Sequence, residues 1–532
     1  MGDKKLNFLF PLLLSAVLVL GMLIGFRLRE STWSKLPFIK RSDYSRIDEV
    51  LNLVEEKYVD TVNREKIIDT LIDNLLSTLD PHSFFIPAAE LQAVNENLEG
   101  NFEGIGIEFY LLHDTIIVVS PIAGGPSEAL GIRTGDKIIK IEDTLVAGVG
   151  ITNNMVLKKL RGKKDTQVKV SILRPPRKEL LDFVITRDKI PIISVVAGYM
   201  VDDETGYIKI NRFAASTYEE FMSEMKELKA AGLQKLIIDL RQNPGGYLQA
   251  ATMIADELLD GEKLLVYTKG KAYKRKDYLT RQPGIFEQGK LALIIDEGSA
   301  SASEILAGAV QDWDRGIVTG RRSFGKGLVQ EQYNLSDGSA LRLTVARYYT
   351  PSGRSIQRPY DKGVAVYNHQ IVERILTNGA KDTLATADSL KFYTSKGKVV
   401  YGSGGIMPDV FIPDTLGDYQ SLAIIRSHIP EFVYDYMEKN SEKFSRFTSP
   451  ADFVKNYSVP DTLYRDFIAM AKEQKMSLSD STLTALESNA KTWLKAYIAR
   501  QLWRNDGYYS VLNSTDKTFL KTLEILEQPE IP

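Results

Sequence analysis

With 532 residues, no cysteine and a formal net charge of −2, the chain is too long for one core and carries neither disulfides nor thiolate metal sites. The missing thiols also exclude a cysteine nucleophile and a lipid-modified cysteine behind a leader. The balance of 67 basic against 69 acidic residues excludes a basic nucleic-acid footprint, and the length makes three or four domains the natural prior.

Residues 8–26, FLFPLLLSAVLVLGMLIGF, carry no charge, follow Lys4 and Lys5, and precede Arg27 and Arg29. The run is long enough to span a bilayer. Lacking a small-residue cleavage site, it favours an uncleaved anchor over a cleaved leader, so residues 1–30 are expected as a membrane anchor or signal segment. Positive charge on both flanks leaves the orientation open. Across residues 40–98, helical spacing at Ile67, Leu71, Leu75 and Leu79, beside Ile68, Ile72 and Leu76, predicts packing helices, the second stopped before Pro81.

Residues 101–174 change character, with short β-rich runs at 116–120, 137–141 and 168–173. Gly104-Ile105-Gly106-Ile107, the string PSEALGI at 126–132 and Gly135-Asp136 punctuate them. The segment resembles a PDZ domain, expected over residues 99–176. By that resemblance, backbone N–H groups of Gly104, Ile105, Gly106 and Ile107 receive a peptide's terminal carboxylate while the peptide adds as a β-strand. Glycine permits the close approach because it has no side chain.

A strand pair is expected near 181–190, then a strand at 206–210. A helix follows, with Ser216 and Glu219 as its capping box, Phe221, Met225 and Leu228 as its apolar stripe and Gly232 at its end. The next buried strand, 236–240, makes this a crossover unit to a parallel neighbour. It ends in DLRQNPGG at 239–246, turn chemistry that points free N–H groups at the sheet edge ahead of a helix over 247–259.

Residues 291–330 repeat the unit: strand 291–295, a turn holding Ser299, Ser301 and Ser303, helix 304–313, strand 316–320, then Lys326 between Gly325 and Gly327. The crossover returns Lys326 to the edge where the serines leave, which suggests a serine nucleophile served by a lysine base. A lysine can serve if burial lowers its pKa, and the flanking glycines would let its loop fit tightly against the serine turn. Simpler readings stand beside this one: Ser301 and Glu304 form an S-x-x-E capping box, and a loop lysine is ordinarily solvated. None of the four histidines, His82, His113, His369 and His428, lies in this unit, so neither a Ser/His/Asp triad nor a metal site finds support. His82 and His113 read as structural. Beyond come a β-rich run at 340–349, a polar insertion at 366–398, and a helical pattern from 418, strongest at 483–502, whose Trp and Tyr residues read as core.

GSASASEI at 298–305 and SFGKGLVQ at 323–330 resemble the carboxyl-terminal processing, or tail-specific, proteases. So do LDPHS at 79–83, DLRQNPGG, YTPSGRSIQ at 349–357 and GGIMPD at 404–409, in the right order over residues 47–409. The resemblance implies an α/β fold. Its parts are a crotonase/Clp-protease-like core at 177–415, an inserted β-rich PDZ domain, N-terminal helices and a helical C-terminal domain at 416–532. It also implies Ser301 as nucleophile, Lys326 as general base, Gln330 as the lysine's support, and an oxyanion hole from the Ala302 N–H with one from Gly245 or Gly246. Tyr247 departs from the family, where leucine is commoner, and the anchor and helical tail lie outside its pattern. The expected function is a serine endopeptidase that captures apolar C-terminal tails through its PDZ domain, without metal or organic cofactor. Expected partners are protein or peptide substrates and, through the N-terminal segment, a membrane; nucleic acid is not among them, and a homo-oligomer or an adaptor protein is left open. The expected location is the periplasmic side of a bacterial cell envelope. A PDZ scaffold with a dead protease core is the alternative, and an acyl-CoA enzyme on the crotonase fold would explain neither the PDZ domain nor the lysine.

Overall fold

The structure, a computed structural model, describes residues 15, 17–22, 41–377, 390–414 and 418–529. Most of the apolar run 8–26 lies outside the described residues, and among those described no helix is long and apolar enough to cross a membrane. The chain divides into two compact units, Met1–Asn74 and Leu75–Pro532. In the first, helix α1 (Arg41–Lys57) is joined to the start of α2 (Arg64–Ser77) by Arg64, whose Nη1 donates to Asn52 Oδ1 and Glu55 Oε2, both at 2.9 Å. The expected packing face is only partly covered: Leu51 and Leu76 are buried and Ile67, Ile68 and Ile72 half-buried, while Leu71, Leu75 and Leu79 stay exposed.

In the second unit, β1 (Phe84–Ile86) and α3 (Ala88–Glu99) lead into β2 (Asn101–Gly104). The PDZ-like sheet then orders β3 (Ile107–Leu112), β4 (Thr115–Pro121), β5 (Lys137–Ile141), β6 (Gln167–Leu173) and β7 (Leu180–Thr186), all antiparallel, with α4 (Asn153–Leu160) before β6. Ile116, Val118, Ile138, Val170 and Ile172 point into its core, as strand alternation requires. The sheet continues past residue 176, because β6 pairs with β7 along its whole length, from Gln167 opposite Thr186 to Leu173 opposite Leu180. The strands expected at 181–190 are therefore not a hairpin of their own. β7 closes the PDZ-like sheet, and β8 (Asp188–Pro191) pairs with β2 to make the two-stranded stem on which the domain is inserted.

The core follows as β9 (Val195–Met200), β10 (Thr205–Ile210), α5 (Thr217–Ala230), β11 (Lys235–Asp239), α6 (Leu248–Asp256), β12 (Leu264–Lys269), β13 (Lys276–Leu279), β14 (Lys290–Ile295), α7 (Ala302–Asp312), β15 (Ile317–Gly320), β16 (Leu328–Asn334), β17 (Ala340–Tyr349), α8 (Val364–Leu376) and β18 (Val410–Phe411). The main sheet runs β9-β10-β11-β14-β15-β18, parallel from β10 onward, so both expected crossover units are present. A second sheet orders β1-β17-β12-β13, with β16 also on β17. The capping box at Ser216 does not form. Ser216 has helical φ and ψ of −86° and −6°, not the extended backbone of an N-cap, and its Oγ donates instead to Glu220 Oε1 at 2.7 Å, while Glu220 Oε2 takes the N–H groups of Ser194 and Val195.

Parallel sheets are covered on both faces. Leu236, Ile238, Leu291, Leu293 and Ile295 face one cluster with residues of α5, α6 and α7, while the alternating Ile237, Ala292 and Ile294 face the other. That second face is covered from the chain's far end. Helices α9 (Tyr419–Asn440) and α10 (Glu487–Asn513, broken at Trp503 and Arg504) enclose their own core with Phe453, Phe467 and Leu494. Helix α11 (Lys517–Glu527) instead lays Phe519, Ile525 and Leu526 on the main sheet. Residues 416–532 are thus not one separate helical domain, because the last helix belongs to the core.

Candidate active site

Parallel pairing of β11 with β14, Asp239 opposite Ile294, sets the 241–246 turn beside the serine turn. The three serines there have different tasks. Ser299 Oγ accepts the Asp296 N–H at 2.9 Å and donates to the Leu240 carbonyl at 2.8 Å, while Ser303 Oγ donates to the Asn243 carbonyl at 2.9 Å. Both are fully buried pins between the two turns. Ser301, half-buried, lines a cleft of about 1290 Å³ together with Lys326 and Gln330. Its φ of 55° and ψ of −112° lie outside the regions open to non-glycine residues, a strained strand-to-helix turn of the kind that lifts a nucleophile out of a sheet.

Lys326 is largely enclosed. Burial first and the Arg342 charge second push its pKa down, against Glu304 and Asp80. Nζ donates to Gln330 Oε1 at 2.8 Å, and Gln330 Nε2 donates in turn to the His82 carbonyl. A bulge between Val329 and Gln330 in β16 re-aims the glutamine for this contact. Among the described residues Lys326 Nζ bonds Gln330 and not the Ser301 hydroxyl. The glycines beside the lysine approach a different segment from the one expected. A Cβ on Gly325 would meet Arg358 and Gly404 at 2.6 and 2.9 Å, and one on Gly327 would meet the Gln357 nitrogen at 2.9 Å.

The two turns also differ in what their N–H groups do. Gly245 N–H donates to Asn243 Oδ1 at 2.9 Å and is occupied. Gly246 N–H and Ala302 N–H carry no protein hydrogen bond among the described residues, Ala302 because the first N–H of a helix has no intrahelical acceptor. Gly245 lies against the serine, since a Cβ there would sit 2.7 Å from Ser301 Cβ. Of the expected pair, Gly246 therefore holds the free donor.

Glu304 joins the two halves of the site in a way that sequence reasoning saw only in part. Its carboxylate accepts from the N–H groups of Ser301 (2.8 Å), Gly325 (2.7 Å) and Lys326 (2.9 Å) and from Ser323 Oγ (2.6 Å). Burial pushes this carboxyl up to about 7, against four donors that favour the charged form. The S-x-x-E spacing signals only the Ser301 bond; the other three partners follow about twenty residues later. Tyr348 was likewise missed: its hydroxyl donates toward the carbonyls of Ser301 (3.1 Å) and Lys326 (2.5 Å). His82 is structural in its ring, which bonds the Tyr367 hydroxyl at 2.9 Å, yet its carbonyl orients Gln330. His113 contacts Glu431 and Asp435 of α9, both at 3.3 Å. Among the described residues no cluster could hold a metal ion.

At the PDZ-like loop, Gly104 pairs with Asp188, and the Ile105 carbonyl takes the Ser127 N–H and hydroxyl at 3.2 and 2.5 Å. Gly106, at φ 73°, directs its carbonyl to the Ile122 N–H, and Ile107 starts β3. β3 has β4 as its only sheet neighbour among the described residues, so its other edge is unpaired. Ile107, Phe109 and Leu111 side chains pack on the domain's core.

Family models match three segments: a PDZ domain at residues 104–185, peptidase family S41 at 204–365, and a family of unknown function at 422–505. The carboxy-terminal processing protease CtpB of Bacillus subtilis is 36% identical over 59% of this chain, a match spanning 65% of that relative's length. The photosystem II D1 C-terminal processing protease is a solved structure with 26% identity, covering 70% of this chain and 87% of its own, at a TM-score of 0.37. The carboxy-terminal-processing protease of Bartonella bacilliformis is 33% identical over 70% of this chain and 83% of its own length. The chain accordingly belongs to the carboxy-terminal processing proteases of peptidase family S41, with their PDZ domain.

Proposed function

We propose that the protein is a serine endopeptidase that cleaves near the C-termini of proteins, with Ser301 as nucleophile and Lys326 as base. One observation carries this reading: of the three serines in the turn, only Ser301 opens into the cleft that also holds Lys326 and Gln330, beside the free N–H groups of Gly246 and Ala302. A neutral Lys326 amine donating one N–H to Gln330 keeps its lone pair for the Ser301 proton. Ser301 Oγ then attacks the scissile carbonyl, and the developing oxyanion takes the Gly246 and Ala302 N–H groups. The lysine returns its proton to the leaving amine, then takes one from a water as that water attacks the acyl-enzyme ester, and gives it back to Ser301 Oγ as the acid product leaves. Substrate tails that add to the β3 edge and end in apolar residues fit its apolar neighbours Ile107, Phe109 and Leu111. In this reading residues 8–26 anchor the enzyme on the outer face of a cytoplasmic membrane.

A non-cleaving PDZ scaffold draws on the absence of a Ser301 to Lys326 hydrogen bond. Incubating the protein with a loosely folded substrate ending in apolar residues separates the two. The parent cleaves, while Ser301→Ala and Lys326→Arg lose cleavage by at least about a thousandfold. Capture of the substrate by the parent without cleavage would establish the scaffold.

A further inference from the structure

Asp516, the residue that opens α11, divides its carboxylate between two elements. Oδ1 accepts the Phe519 N–H at 2.8 Å as the helix N-cap, and Oδ2 accepts Arg241 Nη1 at 2.7 Å. Arg241 in turn lies along Asp239, with Nη2 at 2.6 Å from Oδ2 and Nε at 3.1 and 3.0 Å from the two oxygens. Asp239, 1% exposed, also takes the Tyr207 hydroxyl at 3.0 Å and Lys209 Nζ at 3.3 Å. Two cations, Lys209 and Arg241, thus meet two anions, Asp239 and Asp516; Lys209 and Asp239 are buried, while the Arg241 and Asp516 side chains stay 19% and 28% exposed. Removing the Asp516 charge leaves the cluster one positive charge in excess, at its partly exposed end where solvent limits the cost in stability.

This cluster roots the turn that ends in Gly246. The Arg241 N–H bonds Asp239 Oδ1 at 2.9 Å and its carbonyl takes Lys209 Nζ at 2.5 Å. Gln242, at φ 58°, fastens its N–H and side chain to Asp296, and Asn243 bonds the Gly245 N–H and the Ile210 carbonyl. The far end of the turn is therefore held by the serine turn and β10, and the near end by the charge cluster that Asp516 completes.

We propose that Asp516 is a positioning residue for the reaction, holding Arg241, and with it the turn ending in Gly246, in register with Ser301. The proposal rests on Gly246 and Ala302 being the oxyanion donors. Asp516 lies beyond all three segments matched by family models, which end at residues 185, 365 and 505. Loss of its charge removes the Nη1 partner and leaves the Arg241 guanidinium on Asp239 alone, loosening the turn and shifting the Gly246 N–H relative to the tetrahedral oxygen. Gln242, Pro244 and Gly246 of this turn also line the cleft, but the charged tetrahedral oxygen depends on the Gly246 N–H more than the neutral ground-state carbonyl does, so the transition state is affected more than the substrate complex.

Asparagine caps a helix as well as aspartate, so Asp516→Asn removes the charge and keeps the cap; Asp516→Ser does the same with a hydroxyl. The full chain is assayed for kcat and KM on a peptide substrate and for affinity toward a peptide boronic acid, which forms a tetrahedral adduct on a serine oxygen. Lys235→Ala, which removes the Glu527 and Glu204 contacts of the same helix-to-sheet interface, is the packing control. Asp516→Asn and Asp516→Ser are expected to lower kcat and boronic acid affinity about tenfold, with KM within twofold and unchanged melting midpoints. Values within twofold of the parent in both, or an equal loss in Lys235→Ala, overturn the proposal. Boronic acid binding Ser301→Ala as tightly as the parent overturns the underlying reading of Ser301 as nucleophile separately.

Discussion

At Lys326 the ordinary preference of an amine for water works against the fold and, in the proposed mechanism, for the reaction. Its folded pKa lies below its unfolded value, so between the two the unfolded chain binds the extra proton and stability rises with pH. Lys326→Met is therefore expected to melt above the parent at pH 6, with the gap closing as pH approaches the unfolded lysine value. Parent activity should climb over the range where the amine loses its proton. A melting gap that widens with pH contradicts the direction of the shift. His82 follows the same rule lower on the scale: burial first, and the Lys326 charge second, push it down to about 4 from 6.5. That window corresponds to on the order of 3 kcal/mol of stability, fully present above the unfolded value and lost as pH falls through the folded one. Melting scans of His82→Gln between pH 7 and 4 should show a shallower decline than the parent. Of these residue-scale features, the sequence exposed the lysine through its motif. Nothing in it revealed that the lysine's glutamine hangs on a carbonyl 248 positions upstream.

At the scale of elements, α10 touches both the PDZ domain and the core. Arg500 donates to the Tyr110 hydroxyl at 2.9 Å and to Glu108 Oε1 at 2.5 Å on β3, while Asp506, past the helix break, accepts the Gly198 N–H of β9 at 3.1 Å. The Glu108 side chain is 44% exposed, so the ion pair is screened by solvent and contributes less than about 1 kcal/mol. Arg500→Ala should leave the melting midpoint nearly unchanged and raise hydrogen exchange at Ile107–Leu112, the edge proposed to accept the tail; unchanged exchange there would separate α10 from that strand. Helical spacing found α10 and its aromatic core residues, because periodicity is local. It could not find the partners of Arg500, nor the Ser216 cap lost to Glu220, because these depend on which element the fold brings alongside.

Across the whole molecule, the PDZ domain is an antiparallel sheet inserted on the β2–β8 stem, where Gly104 pairs with Asp188. Replacing residues 105–187 by Asn-Gly turns that stem into a hairpin with a preferred two-residue turn. The resulting protein should fold, and if the domain gates the cleft it should cut short peptides faster than the parent while losing preference for apolar tails. Slower cleavage of short peptides by a folded variant would argue for PDZ assistance instead. The two crossover units were legible in local periodicity, and an ordered set of motifs pointed to the candidate serine, lysine and glutamine, three residues that line one cleft. Tertiary structure alone decided the rest. It spent Ser299 and Ser303 on pins and left Ser301 open, tied up the Gly245 N–H and left that of Gly246 free, and placed four donors around Glu304. It also drew the final helix onto the catalytic sheet. The reason is common to all four: burial obliges each polar group to find a partner and each apolar face a cover, and the nearest candidate in space is seldom the nearest in sequence.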